Sequence, residues 1–187
     1  MERSFSAMDN FIQTEGNLVN ETDLRTAKLG GRFGRLDLLS QLALLAVESL
    51  QLDFESMPRE RIAICLAAWG GSLSTDVEYW SGRDGVGGPS PTLFTYTLPS
   101  AAIGELAIRY RLTGPNLCFV GEDALLLPEA GDLIRRGEAE GCLCVSCRIV
   151  TAAMAKLIHA TPLTEARAFF LARRGKGPWP LAERTAL

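Results

Sequence analysis

This sequence predicts an α/β protein built on a layered mixed sheet, and three observations carry that expectation. The runs 62–68 and 142–150 are apolar or small over strand length, as strands covered on both faces are. Segments with apolar residues at helical spacing lie before and between them. Strand-like and helix-like segments alternate along the chain, which places helices on both faces of one sheet.

The first 32 residues are the least patterned. Phe5, Met8, Phe11, Ile12 and Leu18 suggest an edge strand, but Asn, Gly, Thr and Glu interrupt them, and 26–32 reads as loop. The run Gly30-Gly31-Arg32-Phe33-Gly34 is not a phosphate loop, because no strand precedes it and no Gly-Lys-Ser/Thr follows. Over 36–52, Leu36, Leu39, Leu42, Ala46, Val47 and Leu50 recur at helical spacing, with Asp37, Ser40, Gln41 and Glu48 opposite. Pro58 closes the linker to the strand 62–68. After Gly70-Gly71 a helix is expected over 72–80, with Ser74 or Thr75 as its cap. Four glycines and a proline make 81–90 a loop, read either as the rim of a site or as a plain connector.

Pro99 suits a first helical position, and Ala101, Ala102, Ile103, Leu106, Ala107 and Tyr110 follow at helical spacing. Thr113-Gly114-Pro115 stops that helix, and 116–120 is a short apolar run expected to be a buried strand that turns at Gly121. A proline inside a helix costs about 3 kcal/mol, so the next helix is expected to start near Pro128 and run to Arg136. A strand of small and β-branched residues follows at 142–150. The segment 152–158 fits helix or strand, and 166–171 reads as a further strand. The residues from 173 onward read as a loose terminus.

A chain of 187 residues with 47% hydrophobic content fits one domain with a sizeable core. A net charge of −3 without a basic stripe argues against nucleic-acid binding. No apolar run approaches the roughly 20 residues a membrane helix needs, and the first residues lack a signal-peptide core. A soluble, cytoplasmic protein is expected. Five cysteines in apolar or strand-like settings fit reduced thiols better than a disulfide framework.

The stretch 91–136 runs through helix, Gly-Pro turn, strand, glycine corner and helix. With the long helix that follows Gly34-Arg35-Leu36-Asp37, the strand and glycine corner of 61–76, and the Arg135-Arg136-Gly137-Glu138 segment leading to Val145, it resembles the N-terminal half of a β-ketoacyl synthase of the thiolase superfamily. The resemblance covers about 33–172. It implies half of a thiolase-like fold, with 1–32 as a poorly defined leading segment and 173–187 as a tail. Full ketosynthases carry two similar halves, of which this chain matches the first.

Condensation in that family needs a cysteine on the elbow after the strand, plus two histidines from the second half. Here the elbow reads Gly121-Glu122-Asp123-Ala124, and the single histidine, His159, lies outside any matching motif and is read as structural. Glu122 and Asp123 are read first as caps of the following helix and second as a general acid/base pair. Alternation turns Cys118 toward the core as a small hydrophobe, with a reactive thiol as the alternative. The spacing Cys142-Leu-Cys144-Val-Ser-Cys147 is within reach of zinc or an iron–sulfur cluster, yet it lies along an apolar strand, so packing is preferred over metal. No cofactor motif is present.

The resemblance therefore implies a non-catalytic ketosynthase-like subunit of the chain-length-factor type, in fatty-acid-like or polyketide-like biosynthesis. It also places 116–120 at a two-fold interface through Asn116, Leu117, Phe119 and Val120. The implied partner is a second copy or a full-length ketosynthase, with an acyl carrier protein as a further one. An acyl-thioester transferase or hydrolase using Cys118 or Glu122/Asp123 is the alternative, and a metal or redox module on Cys142, Cys144 and Cys147 is a weaker one.

Overall fold

The computed structural model describes residues 11–174, apart from Lys28, Gly31 and Val86 and the side chain of Ile12. The expectations for Phe5 and Met8, for Gly31 in the glycine run, and for the tail from 175 lie outside the described residues. The strands are β1 (Phe11–Glu15), β2 (Val19–Asn20), β3 (Ile62–Trp69), β4 (Asn116–Val120), β5 (Gly141–Val150) and β6 (Leu163–Arg173). The helices are α1 (Glu21–Leu24), α2 (Leu38–Glu48), α3 (Leu73–Gly82), α4 (Pro91–Phe94), α5 (Ser100–Tyr110), α6 (Leu126–Arg135) and α7 (Ala152–Ile158).

The strands form one mixed sheet in the order β1-β6-β5-β3-β4, with β2 also paired to β6. β3 runs parallel to β4 and β5, while β6 runs antiparallel to β5, β1 and β2. Alternation then divides the core into two layers. Ile62, Ile64, Leu66, Leu143, Val145 and Phe170 pack under α2 and α5. Ala63, Cys65, Ala67, Cys142, Cys144, Phe169 and Leu171 pack under α6. The α/β class with helices on both faces is the observed architecture.

Local chemistry sets the helix bounds. Asp37 caps α2: its Oδ1 accepts from the Ser40 N–H at 3.1 Å, and its Oδ2 accepts from the Thr75 hydroxyl at 3.0 Å. Thr75 is thus buried as a donor to Asp37 rather than capping its own helix, and Ser72 occupies the cap position of α3. Pro99 precedes α5 at its cap, one residue earlier than expected, and Arg111 closes that helix in the left-handed conformation at φ 56°. Glu48 ties α2 to α5 by accepting from the Arg109 guanidinium and the Tyr110 hydroxyl, both at 2.9 Å. α6 begins at Leu126, two residues before Pro128. A proline in the first turn has no intrahelical N–H bond to lose, so it does not delay the start. Thr151 caps α7, which settles 152–158 as helix.

The expectation of a buried strand at 116–120 is corrected. β4 is the sheet's edge, with Asn116, Cys118 and Val120 exposed and Leu117 and Phe119 half-buried against the α6 layer. An apolar run is compatible with an edge as well as with a centre, and only the absence of a neighbour on one side decides. Gly114 lets β4 start flush on β3: a Cβ there would lie 2.6 Å from the carbonyl carbon of Ile62.

Candidate functional site

The sheet face covered by α6 changes character toward the C-terminal ends of the parallel strands. On β5, Cys142 and Cys144 lie beneath the helix, and the next two residues of that face are Ser146 and Arg148. On β6, Leu171 and Phe169 give way to Arg167 and Glu165, which pair across from Ser146 and Arg148. The elbow after β4 closes over this polar end. Gly121 makes the corner at φ 139°, a conformation that favours glycine, and the turn Asp123–Leu125 leads into α6. The result is a cleft of about 350 Å³, lined among others by Trp69, Gly121, Asp123, Ser146, Arg148 and Arg167. Clefts at the carboxyl ends of parallel strands are where α/β folds place their sites.

Asp123 is the centre of this cleft. Its Oδ2 accepts from the Ser146 hydroxyl and from Arg167 Nη2, each at 3.0 Å. Burial pushes the carboxyl pKa up, but the hydrogen bonds from Arg167 and Ser146 outweigh it and hold the group below the ordinary carboxylate value. Beside it, Arg148 donates to Glu165 at 3.4 Å. The expected capping role is corrected: no side-chain cap bond is made at the start of the turn Asp123–Leu125 or of α6, and Glu122 is exposed. Both acids line the cleft, but Asp123 is engaged by Arg167 and Ser146 while Glu122 is exposed at its rim.

The thiols separate in the same way. Cys118 is exposed rather than core-facing, since Leu117 and Phe119 take the covered face of β4. Desolvation raises its pKa, and no cation opposes that push. Cys142 and Cys144 share a face with Cys65, with Sγ–Sγ distances of 3.4 Å from Cys142 to Cys65 and 3.8 Å from Cys144 to Cys142. Cys147 lies on the opposite face, so Cys142, Cys144 and Cys147 do not converge as a ligand set. Among the described residues no group of three or more His, Cys, Asp and Glu is arranged to hold a metal ion. Burial raises Cys142 and Cys147 above the ordinary thiol range. His159 is exposed and ends α7 in the left-handed conformation at φ 53°.

No protein-family model matches the chain, and no curated protein matches it in sequence. Solved structures do match in fold. The ishigamide ketosynthase/chain length factor is 25% identical at a TM-score of 0.68, over 81% of this chain and 48% of that one. The chain has the ketosynthase/chain-length-factor fold. A type II polyketide synthase acyl-carrier protein in complex with its ketosynthase bound to the hexaketide (AntDE:AntF) matches at 19% identity and 0.67, over 83% and 52%. A ketosynthase (ApeO) in complex with its chain length factor (ApeC) from Xenorhabdus doucetiae matches at 21% and 0.57, over 75% and 59%. The ketosynthase-like chain thus spans about half the length of these neighbours. Among the described residues no helix is long and apolar enough to cross a membrane.

Of these residues the sequence alone singles out only the elbow, and not Ser146, Arg148, Glu165 or Arg167. The signal was available in the alternation of β5, where Cys142, Cys144, Ser146 and Arg148 pass from apolar to polar along one face.

Proposed function

We infer that this chain is a ketosynthase-like partner subunit of the chain-length-factor type, without a catalytic cysteine of its own, in polyketide-like or fatty-acid-like biosynthesis. One observation carries the reading. At the elbow, where the family it resembles sets a nucleophilic thiol, the carboxylate of Asp123 is engaged by Arg167 and Ser146 at 3.0 Å each. A carboxylate whose pKa is depressed by a cation is a weak base near neutral pH, and efficient general bases sit near the working pH. Cys118 offers no substitute, because its thiol is raised and points away from the cleft side of β4.

The partner assignment draws on two neighbours, one a ketosynthase in complex with its chain length factor and one an acyl-carrier protein in complex with its ketosynthase. On this reading the chain meets a second copy or a full-length ketosynthase through Asn116, Leu117, Phe119 and Val120 of the free edge, docks an acyl carrier protein, and works in the cytoplasm.

The test is incubation with an acyl-carrier-protein thioester, followed by intact mass under denaturing conditions. An unchanged mass, with the thioester intact and the chain co-eluting with a ketosynthase or with itself, is expected. An acyl adduct on Cys118, or thioester hydrolysis lost in Asp123→Asn, would overturn the reading in favour of a transferase or hydrolase.

A further inference from the structure

A second pocket, of about 280 Å³, opens at the other end of the sheet, where residues 52–55, Arg59 ahead of β3 and the last turn of α5 meet. The eight residues of β3, roughly 25 Å at the usual rise of a strand, separate it from the elbow cleft. Phe54 and Tyr110 form its aromatic wall, with ring centroids 4.7 Å apart. Arg59, Arg109 and Arg111 all line it, and they differ in how far they are engaged. Arg109 is committed, since the Glu48 carboxylate lies 2.8 Å from its Nη2 and its Nη1 donates to the Leu29 carbonyl at 3.1 Å. Arg59 is not: its side chain is only 25% exposed, yet its Nε donates to the Phe54 carbonyl at 3.3 Å while Glu55 stays 3.8 Å from Nη2, beyond hydrogen-bond distance. Arg111 has no side-chain partner among the described residues.

These unpaired donors open into the pocket. Among the described residues the buried side-chain N and O atoms without a partner belong to Ser40 and Ser74, so the Nη groups of Arg59 meet water and not a sealed interior. Arg111 closes α5 at φ 56°, its N–H donating to the Ala107 carbonyl, in a conformation that glycine adopts with less strain. The chain sets a guanidinium there instead. Asp53 and Glu55 are the opposing charges, and both are exposed, Glu55 by 87%, so solvent screens them more than it screens Arg59. One oxygen of Asp53 is already used, accepting from the Glu55 N–H at 2.9 Å. The partial negative charge at the end of α5 opposes an anion here, but the two whole positive charges outweigh it.

We propose that this pocket binds a small phosphorylated ligand, with Arg59 and Arg111 donating to the phosphoryl oxygens. The planar fork of a guanidinium matches two oxygens of one phosphoryl group, which an ammonium does not. The pocket lies at the small end of the range for ligand sites, so it suits a phosphomonoester rather than a dinucleotide. The Phe54–Tyr110 wall takes the organic part of such an ester. A ligand held only by the folded chain also raises the stability of the fold with its concentration, which makes binding visible without any activity.

The experiment titrates the full chain with inorganic phosphate and with phenyl phosphate at constant ionic strength, against chloride, reading calorimetric heat and the thermal midpoint. Saturable binding of both, tighter for phenyl phosphate, is expected. Arg111→Gly removes one guanidinium and gives the left-handed position the residue that suits it best, so the variant keeps its fold. Its affinity for phosphate should fall about tenfold, the loss of one charge-assisted contact. Glu55→Gln removes a competing carboxylate and should tighten binding roughly two- to fivefold. Saturable binding that Arg111→Gly leaves unchanged places the anion elsewhere and overturns the proposal, as does a response that chloride reproduces. Equal affinity for the two probes overturns the part given to the aromatic wall and leaves a site for the phosphoryl group alone. None of these outcomes bears on the partner reading, which rests on the elbow.

Discussion

Arg167 and Asp123 lie 44 positions apart, yet the guanidinium of one donates to the carboxylate of the other at 3.0 Å, fastening the elbow to the antiparallel strand β6. Both side chains are partly exposed, 46% and 35%, so the pair contributes only about 0.5–1 kcal/mol. Asp123→Asn is expected to lower stability by that order in urea denaturation at pH 7. Because the folded pKa of Asp123 lies below its unfolded value, its contribution is complete above the ordinary carboxylate pKa of about 3.9 and is lost as pH falls through the depressed folded value. The difference between variant and parent should therefore vanish in strong acid. A gap that persists there would mean the ion pair is not its source.

Alkylation should report the thiols one at a time. Iodoacetamide is expected to modify Cys118 alone in the native protein, with Cys65, Cys142, Cys144 and Cys147 silent until unfolding. The raised pKa of Cys118 means that its rate keeps climbing beyond the value near 8.5 where a free cysteine levels off. Rapid modification at pH 6 would contradict the environment described for it.

Asp37 holds two elements with one carboxylate, being the cap of α2 and the acceptor for buried Thr75. Asp37→Ala removes the cap and strands a buried hydroxyl, so a loss of about 2–4 kcal/mol is expected from chemical denaturation. Thr75→Val should rescue part of that loss in the double variant, since it removes the hydroxyl left without an acceptor. Strict additivity of the two changes would show that they do not interact.

Two glycines should answer oppositely to alanine. Gly104, in α5, has open space around the position of an added Cβ, and Gly104→Ala is expected to raise stability by about 0.5–1 kcal/mol. Gly114→Ala drives a methyl into the backbone of Ile62 and should destabilise the β3–β4 pairing, seen as faster amide exchange in β4.

The central strands were legible because β3 and β5 are buried on both faces, and continuous apolar runs of that length have few other solutions. α2 and α5 were legible from helical spacing. β4 was read as buried because its composition, Asn-Leu-Cys-Phe-Val, describes what the strand can pack against and not whether a neighbour exists on its far side. α4 was not foreseen, since four residues starting at Pro91 hold too little periodicity to register. The elbow was located by its glycine, but the role of Asp123 was not. Ser146 and Arg167 reach it only after β5 and β6 have been laid side by side, and nothing adjacent to Asp123 in the chain announces them.

The pairing of β1 with β6 sets Phe11 against Arg173, so the first described strand is held by the last. On a ribosome, residues 11–15 emerge before residues 163–173 and have no partner strand until those have followed. Contacts of such long range are slow to form, because the intervening chain must close before they return any free energy. β1 is therefore open to holding chaperones during synthesis for as long as β6 is missing.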